Sequence, residues 1–217
     1  FLLPGAAVRV YGVGQAPEEQ AAAAAKFVDA LREREIKKID ASGASEDEKR
    51  IRKDLLNQLL DALRATAASG RSDGAASVVL SPNRAVLVAG GYLAEAGKVE
   101  NVVKTVGQFL QQQHPGINVT WDAEKADGVT FHTLSLPAPQ GDDREKFVQV
   151  FGESLDVVMG FGKDAAYFAA GKGALKTLKE AIAKSATPVV PPFPFEASVA
   201  LKPIADFVAA VGKDHQK

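Results

Sequence analysis

The stretch GRSDG, residues 70–74, has the G-x-S-x-G spacing of a serine hydrolase nucleophile elbow. In such an elbow a strand enters a strained turn and a helix leaves it. That geometry exposes the Ser hydroxyl and aims backbone N–H groups at an oxyanion. Here the order is reversed: a helical pattern ends at Ser69 and Gly70, and a strand pattern follows over 77–80. Ser72 is expected in a helix-to-strand loop, and Gly, Ser and Asp are ordinary turn residues. The three histidines, His114, His132 and His215, are scattered, and none has a His or carboxylate four residues on that faces the same way, as a zinc-binding helix requires. GRSDG reads as a turn.

Glycine-rich stretches do not complete a phosphate site either. GVGQAP, from Gly12, follows a strand pattern and opens a helix, but Pro17 replaces the third glycine of a dinucleotide fingerprint. GFGKDA, from Gly160, lies between two strand patterns, so no helix N-terminus awaits a phosphate there. AGKGAL, from Ala170, lacks a Ser or Thr after Lys172; the helix start after Gly173, with Lys172 beside it, is the better place for an anion. DAEKADG, from Asp122, departs from a calcium loop because its glycine is one place late and Thr133 stands where the closing Glu belongs. Asp127 and Gly128 favour a tight hairpin turn instead. The acidic pairs Glu18-Glu19 and Asp142-Asp143 precede helical patterns, where each carboxylate stabilises the N-terminal dipole by roughly 0.3–1 kcal/mol. Trp121 reads as a core or sheet-face residue, and the NVT sequon at Asn118 as chance. The sequence assigns no catalytic, cofactor-binding or metal-ligating residue.

The elements that would position any site alternate along all 217 residues. A strand pattern over 5–14 precedes an Ala-rich helix that starts at Pro17 and carries Phe27, Val28 and Leu31 on one face. Ser45 and Glu48 form a capping box, and Ile51, Leu55, Leu59 and Leu63 make the stripe of a second helix that Gly70 stops. Strand patterns follow over 77–80 and 84–89, a helix over 97–113, strands over 117–122 and 129–136, and a helix from 144 to 151. Strands over 155–159 and 165–170, a helix over 175–183, a Pro-rich connector TPVVPPFPF, a strand over 196–201 and a helix over 203–211 complete the chain.

SVVLSPNRAVLVAGG, from Ser77, resembles DVVMGFGKDAAYFAAGK, from Asp156. Each is a strand, a turn, a strand and then a helix, which predicts a duplicated β-β-α unit. The expected architecture is α+β: an antiparallel-rich sheet of repeated β-β-α units with helices on one face, plus an N-terminal helical hairpin. It forms a single domain over 1–217, with the hairpin inserted at 15–70, a first repeat region at 77–154 and a second at 155–217.

Composition narrows the partners. A formal net charge of −1 offers no broad field for a phosphate backbone, so nucleic acid is not expected. Cysteine is absent, which removes disulfides, thiolate catalysis and Cys-ligated zinc. No apolar run approaches the ~20 residues of a membrane span. The segments SGRSDGA, DGVTFHTLSLPAP and FGESLDVVMGFGKDAAYFAAGKGALKTLKEAIAKS resemble a family of uncharacterised bacterial extracytoplasmic proteins, over roughly residues 70–201. The resemblance implies a periplasmic or secreted location and carries over no activity. The expected function is a non-catalytic binding or protein-interaction module, with a protein partner or self-association expected through the helices of 18–68. The alternatives are a carrier of a small or apolar ligand held between sheet and helices, and, less favoured, a hydrolase.

Overall fold

The first strand, β1 (Val8–Gln15), is one arm of a hairpin whose tip is replaced by helices. The computed structural model describes residues 1–114, 116–185 and 193–212. In it β1 runs antiparallel to β2 (Arg71–Ser81), from Val8↔Val78 to Gln15↔Arg71. At the open end the Ala16 N–H donates to the Gly70 carbonyl at 2.8 Å. There the helices α1 (Glu18–Asp40) and α2 (Glu46–Ala68) leave and return. Ser45 caps α2 as its sequence predicts: its side chain accepts from the Glu48 N–H, and the Glu48 carboxylate accepts from the Ser45 N–H at 3.0 Å.

Gly70 answers the question raised by GRSDG. Its φ of +65° lies in the left-handed region, and a Cβ there would stand 2.7 Å from Gln15 Nε2. The turn ends at Gly70, however, and Ser72 sits inside β2 opposite Gly14, not in a loop. The strand begins six residues before its apolar pattern because the polar stretch 71–74 is paired with β1.

From β2 the chain makes a two-residue turn into β3 (Arg84–Tyr92), then α3 (Ala96–Gln113). A hairpin of β4 (Asn118–Ala126) and β5 (Val129–Pro137) follows. Its turn residues Asp127 and Gly128 have φ of 53° and 75°, the primed turn that Asp-Gly favours. Helix α4 (Arg144–Phe151) leads to the hairpin of β6 (Ser154–Phe161) and β7 (Ala165–Gly171), and α5 (Ala174–Ser185) follows. The last elements are β8 (Phe195–Val199) and α6 (Leu201–Val211). Helix α6 starts two residues before Pro203, whose ring is tolerated in a first turn, so the preceding strand is shorter than its pattern. Most of the Pro-rich connector lies outside the described residues.

All eight strands form one antiparallel sheet in the order β4-β5-β6-β7-β3-β2-β1-β8. The protein is α+β, with an N-terminal helical hairpin. The two similar sequence segments are the hairpins β2–β3 and β6–β7, each followed by a helix, and they meet where β3 pairs with β7. The strand that follows α3, β4, adds to β5, and the strand that follows α5, β8, adds to β1.

The main core lies between the sheet and α5. Val86, Val88, Phe131, Val158 and Ala169 meet Leu178, Ala181 and Ile182 there, with Leu3 and Ala6 of the N-terminal segment. Phe131 and His132 are neighbours on β5 and point to opposite faces. Phe131 belongs to the core under α5, whereas His132 meets Glu100 of α3. Helices therefore meet the sheet from both sides rather than from one. Among the described residues, no helix is long and apolar enough to cross a membrane.

Candidate functional site

Two places gather side chains that could do chemistry. The first joins α3 to β4 and β5. His132 is fully buried, and its ring lies edge-on to Trp121 at 5.4 Å between centroids. The Asp122 N–H donates to His132 Nδ1 at 3.0 Å, which places the ring proton on Nε2, and that N–H donates to Glu100 Oε1 at 3.2 Å. Lys104 Nζ reaches Glu100 at 2.9 Å and Asp122 at 3.0 Å. Burial, and then the Lys104 charge, hold the His132 pKa below its ordinary value. Hydrogen bonding to Lys104 lowers the Asp122 pKa, and bonding to Glu100 raises that of Lys104.

Glu100, Asp122 and His132 bring one ligand atom each within 4.8 Å of one another, a spacing a metal ion could use. The chemistry of the donors argues against one. The Lys104 ammonium already bridges both carboxylates, and both imidazole nitrogens have hydrogen-bond partners. Glu100, Asp122, His132 and Lys104 form a closed polar network that pins α3 against the sheet, while the buried Trp121 Nε1 beside it has no hydrogen-bond partner among the described residues. Close approach there depends on Gly107, where a Cβ would stand 2.5 Å from the Trp121 ring. Sequence reasoning saw His132, Asp122 and Trp121 separately. Nothing local in the sequence joins them to Glu100 and Lys104, which are 32 and 28 positions from His132.

The second place is a depression of about 600 Å³ on the sheet face that carries α5. It lies beyond the C-terminal end of that helix. Residues of β1, β2, β3 and β7 form its floor and walls. All three tyrosines of the chain, Tyr11, Tyr92 and Tyr167, line it. Arg71 lies over the Tyr92 ring at 4.6 Å from its centroid and pairs with Asp73 at 2.6 Å. Tyr11 donates its hydroxyl to Glu196 at 3.2 Å. Burial, reinforced by the Asp73 charge, raises the Tyr167 pKa, so that ring is a neutral donor across the physiological range. Lys184 and Asp164 complete the rim with one charge of each sign.

The N-terminal segment already occupies one end of this depression. The Phe1 ring stacks on Tyr167 at 5.5 Å with the planes 10° apart. Stacking requires a glycine beneath it: a Cβ at Gly90 would stand 2.5 Å from both rings. Ser77, itself 1% exposed, donates its hydroxyl to the Phe1 carbonyl at 2.7 Å and accepts from the Leu3 N–H at 3.3 Å. Leu3 is buried and Leu2 points outward.

The structure keeps the other residues singled out in the sequence apart. Ser72 lies on β2, and its hydrogen-bond partners among the described residues include no histidine. His114 is the C-cap of α3, bonded through its backbone to Leu110. His215 lies outside the described residues. The Lys172 carbonyl accepts from Arg84 at 3.0 Å, and the same guanidinium donates to Thr177 at 2.7 Å, so a cation already packs on the first turn of α5. The tyrosine-lined depression was not found from sequence. Its residues come from five separate elements, and only the clustering of glycines at strand ends hinted at it. Comparisons with protein-family models, with curated proteins and with solved structures return no match.

Proposed function

We propose that this protein is a non-catalytic binding module whose site is the tyrosine-lined depression over β1, β2, β3 and β7. The observation that carries the reading is the convergence of all three tyrosines on one concave surface of about 600 Å³, a volume typical of ligand sites. Its remaining polar groups, an Arg71–Asp73 pair and two isolated rim charges, suit orientation of a ligand. Among the described residues that line it, no nucleophile–base pair accompanies them. Tyrosine supplies large contact area at low conformational-entropy cost, which is why binding surfaces are rich in it. Native mass spectrometry of freshly purified protein, with tyrosine ring resonances followed by NMR during a ligand screen, tests the reading. A co-purified mass or ligand-dependent shifts of those resonances is expected. No shift from any ligand, or turnover in an ester or phosphoester screen, overturns it. The extracytoplasmic location implied by the sequence resemblance belongs to the same proposal, and fractionation of cells that make the protein tests it.

A second reading rests on the helical arm. Phe27 on α1 is 71% exposed and Ile51 on α2 is 52% exposed, and neither is covered within the chain. Self-association through the arm would cover them. Light scattering of the intact protein and of a variant lacking residues 18–68 decides: a concentration-dependent dimer lost with the arm supports it, and two identical monomers overturn it.

A further inference from the structure

We infer that the outer edge of β8 is a pairing surface for a second copy of this chain, joined antiparallel and centred on Ala197. No β8 residue lines the depression or belongs to the helical arm, so this surface is separate from both. Among the described residues the sheet ends at β4 on one side and at β8 on the other. The two edges are built differently. Strand β4 carries a register shift between Thr120 and Glu124, with Asp122 at φ of 50°, and the charged residues Asp122, Glu124 and Lys125. Bulges and charges are the ordinary means by which an edge refuses another strand. Strand β8 has neither a bulge nor a lysine. It pairs with β1 in unbroken register from Val8↔Val199 to Gly12↔Phe195, and Glu196 is its one charged residue.

The bonds to β1 fix which main-chain groups remain. The Val13 N–H donates to the Pro194 carbonyl, and the Ala200 N–H donates to the Ala7 carbonyl, both at 2.8 Å. Even-numbered residues of this stretch therefore turn their main-chain groups toward β1, and Phe195, Ala197 and Val199 present N–H and C=O outward. That set is self-complementary about Ala197. In a two-fold antiparallel pair Ala197 meets Ala197 of the second copy and Phe195 meets Val199, and each of these pairs exchanges both its N–H···O bonds. The side chains suit the same register. Glu196, on the face of Tyr11, stands opposite Ser198, so no like charges meet directly. On the other face Phe195 and Val199, 65% and 60% exposed, cover each other. One patch used by both copies is the isologous arrangement that a two-fold axis closes. That axis stands perpendicular to the sheet, so the two tyrosine-lined depressions open on the same side of one continuous sheet.

Sedimentation of the full chain over a concentration series, with amide exchange followed by NMR, tests the pairing. A concentration-dependent dimer is expected, with slower exchange of the Phe195, Ala197 and Val199 amides as it forms. Ala197→Pro removes an outward N–H and spares the bonds to β1, so it should weaken the dimer about tenfold or more with an unchanged circular dichroism spectrum. Charge tests the register. Phe195→Glu alone and Val199→Lys alone should each weaken self-association, and an equimolar mixture should form the heterodimer, in which the carboxylate and the ammonium face each other. If Ala197→Pro unfolds the chain, the charge pair decides alone. A monomer at every concentration up to about 1 mM overturns the inference. So does a dimer indifferent to all three substitutions, including one lost only when residues 18–68 are removed, which would assign self-association to the arm. Ligand-dependent tyrosine shifts report on the depression by itself, so the binding reading and this one fail separately.

Discussion

The hairpins β1–β2 and β5–β6 are built alike and used differently. Each carries a helical insertion at its tip, and each is closed by one equivalent backbone bond: Ala16 N–H to Gly70 O at 2.8 Å, and Ala138 N–H to Glu153 O at 2.9 Å. In the β5–β6 hairpin the insertion contains the single helix α4 of 8 residues. In the β1–β2 hairpin it is a pair of 23-residue helices. Around β5 both faces are filled, by α5 against Phe131 and by α3 against His132. Beside β1 and β2 the end of one face stays concave and holds tyrosines. A shared scaffold thus puts packing in one half and accessible surface in the other.

The contrast predicts a gradient of mutational cost. Phe131→Ala, at the filled end, removes a ring that is 1% exposed and should destabilise the fold by about 3–5 kcal/mol in urea denaturation. A loss below about 1 kcal/mol would mean that this half is no better packed than the other. His132→Ala comes next. It strands the Asp122 N–H and removes the partner of Glu100, at a cost of about 1–3 kcal/mol.

His132 also makes the filled half pH-sensitive. Its folded pKa lies below the ordinary 6.5, so the unfolded chain binds the proton more readily. Its contribution is complete above pH 6.5 and shrinks as pH falls through the folded value. The urea midpoint should therefore decline from pH 7 to pH 5 in the native protein and decline less in His132→Gln. Parallel profiles would place the pH dependence elsewhere.

At the open end Gly90→Ala should cost about 1–3 kcal/mol, or expel Phe1 from its seat with little loss of stability. Circular dichroism and tyrosine NMR together separate those outcomes, and either one marks the seat; an unperturbed Phe1–Tyr167 stack would contradict the close approach. The smallest effect is expected on the arm. Asp29 pairs with Arg64 at 2.9 Å, both side chains nearly half exposed, and Asp29→Asn should change stability by about 0.2–1 kcal/mol, less in high salt. A larger change would show that the arm is held by more than its exposed ion pairs.

Local rules carried most of the fold. The capping box at Ser45 and Glu48, the Asp127-Gly128 turn and the repeated hairpins are visible because each rests on residues close in sequence. Strand extents were misjudged where polar residues pair, as at 71–74, and the helix start at Leu201 was hidden by Pro203. The side of the sheet taken by α3 was not legible either, since it is decided by the contact of His132 with a residue 32 positions away. The tyrosine-lined depression is the extreme case. Tyr11, Tyr92 and Tyr167 are each unremarkable in their own strands, and only the sheet order brings them together.

That order has a consequence for how the chain must assemble. Strand β1 is made first but gains its outer neighbour β8 only when nearly the whole polypeptide exists, and β3 gains its neighbour β7 only from the later half. The N-terminal half, with β1, β2 and β3, is bare on both sides until β7 and β8 arrive. Cutting between α3 and β4 should leave two fragments, each exposing a bare strand with unpaired amides, prone to stick to like strands until mixed with its complement. The late arrival of β8 also predicts slow folding dominated by distant pairings, and a vulnerability to any premature stop upstream of residue 195.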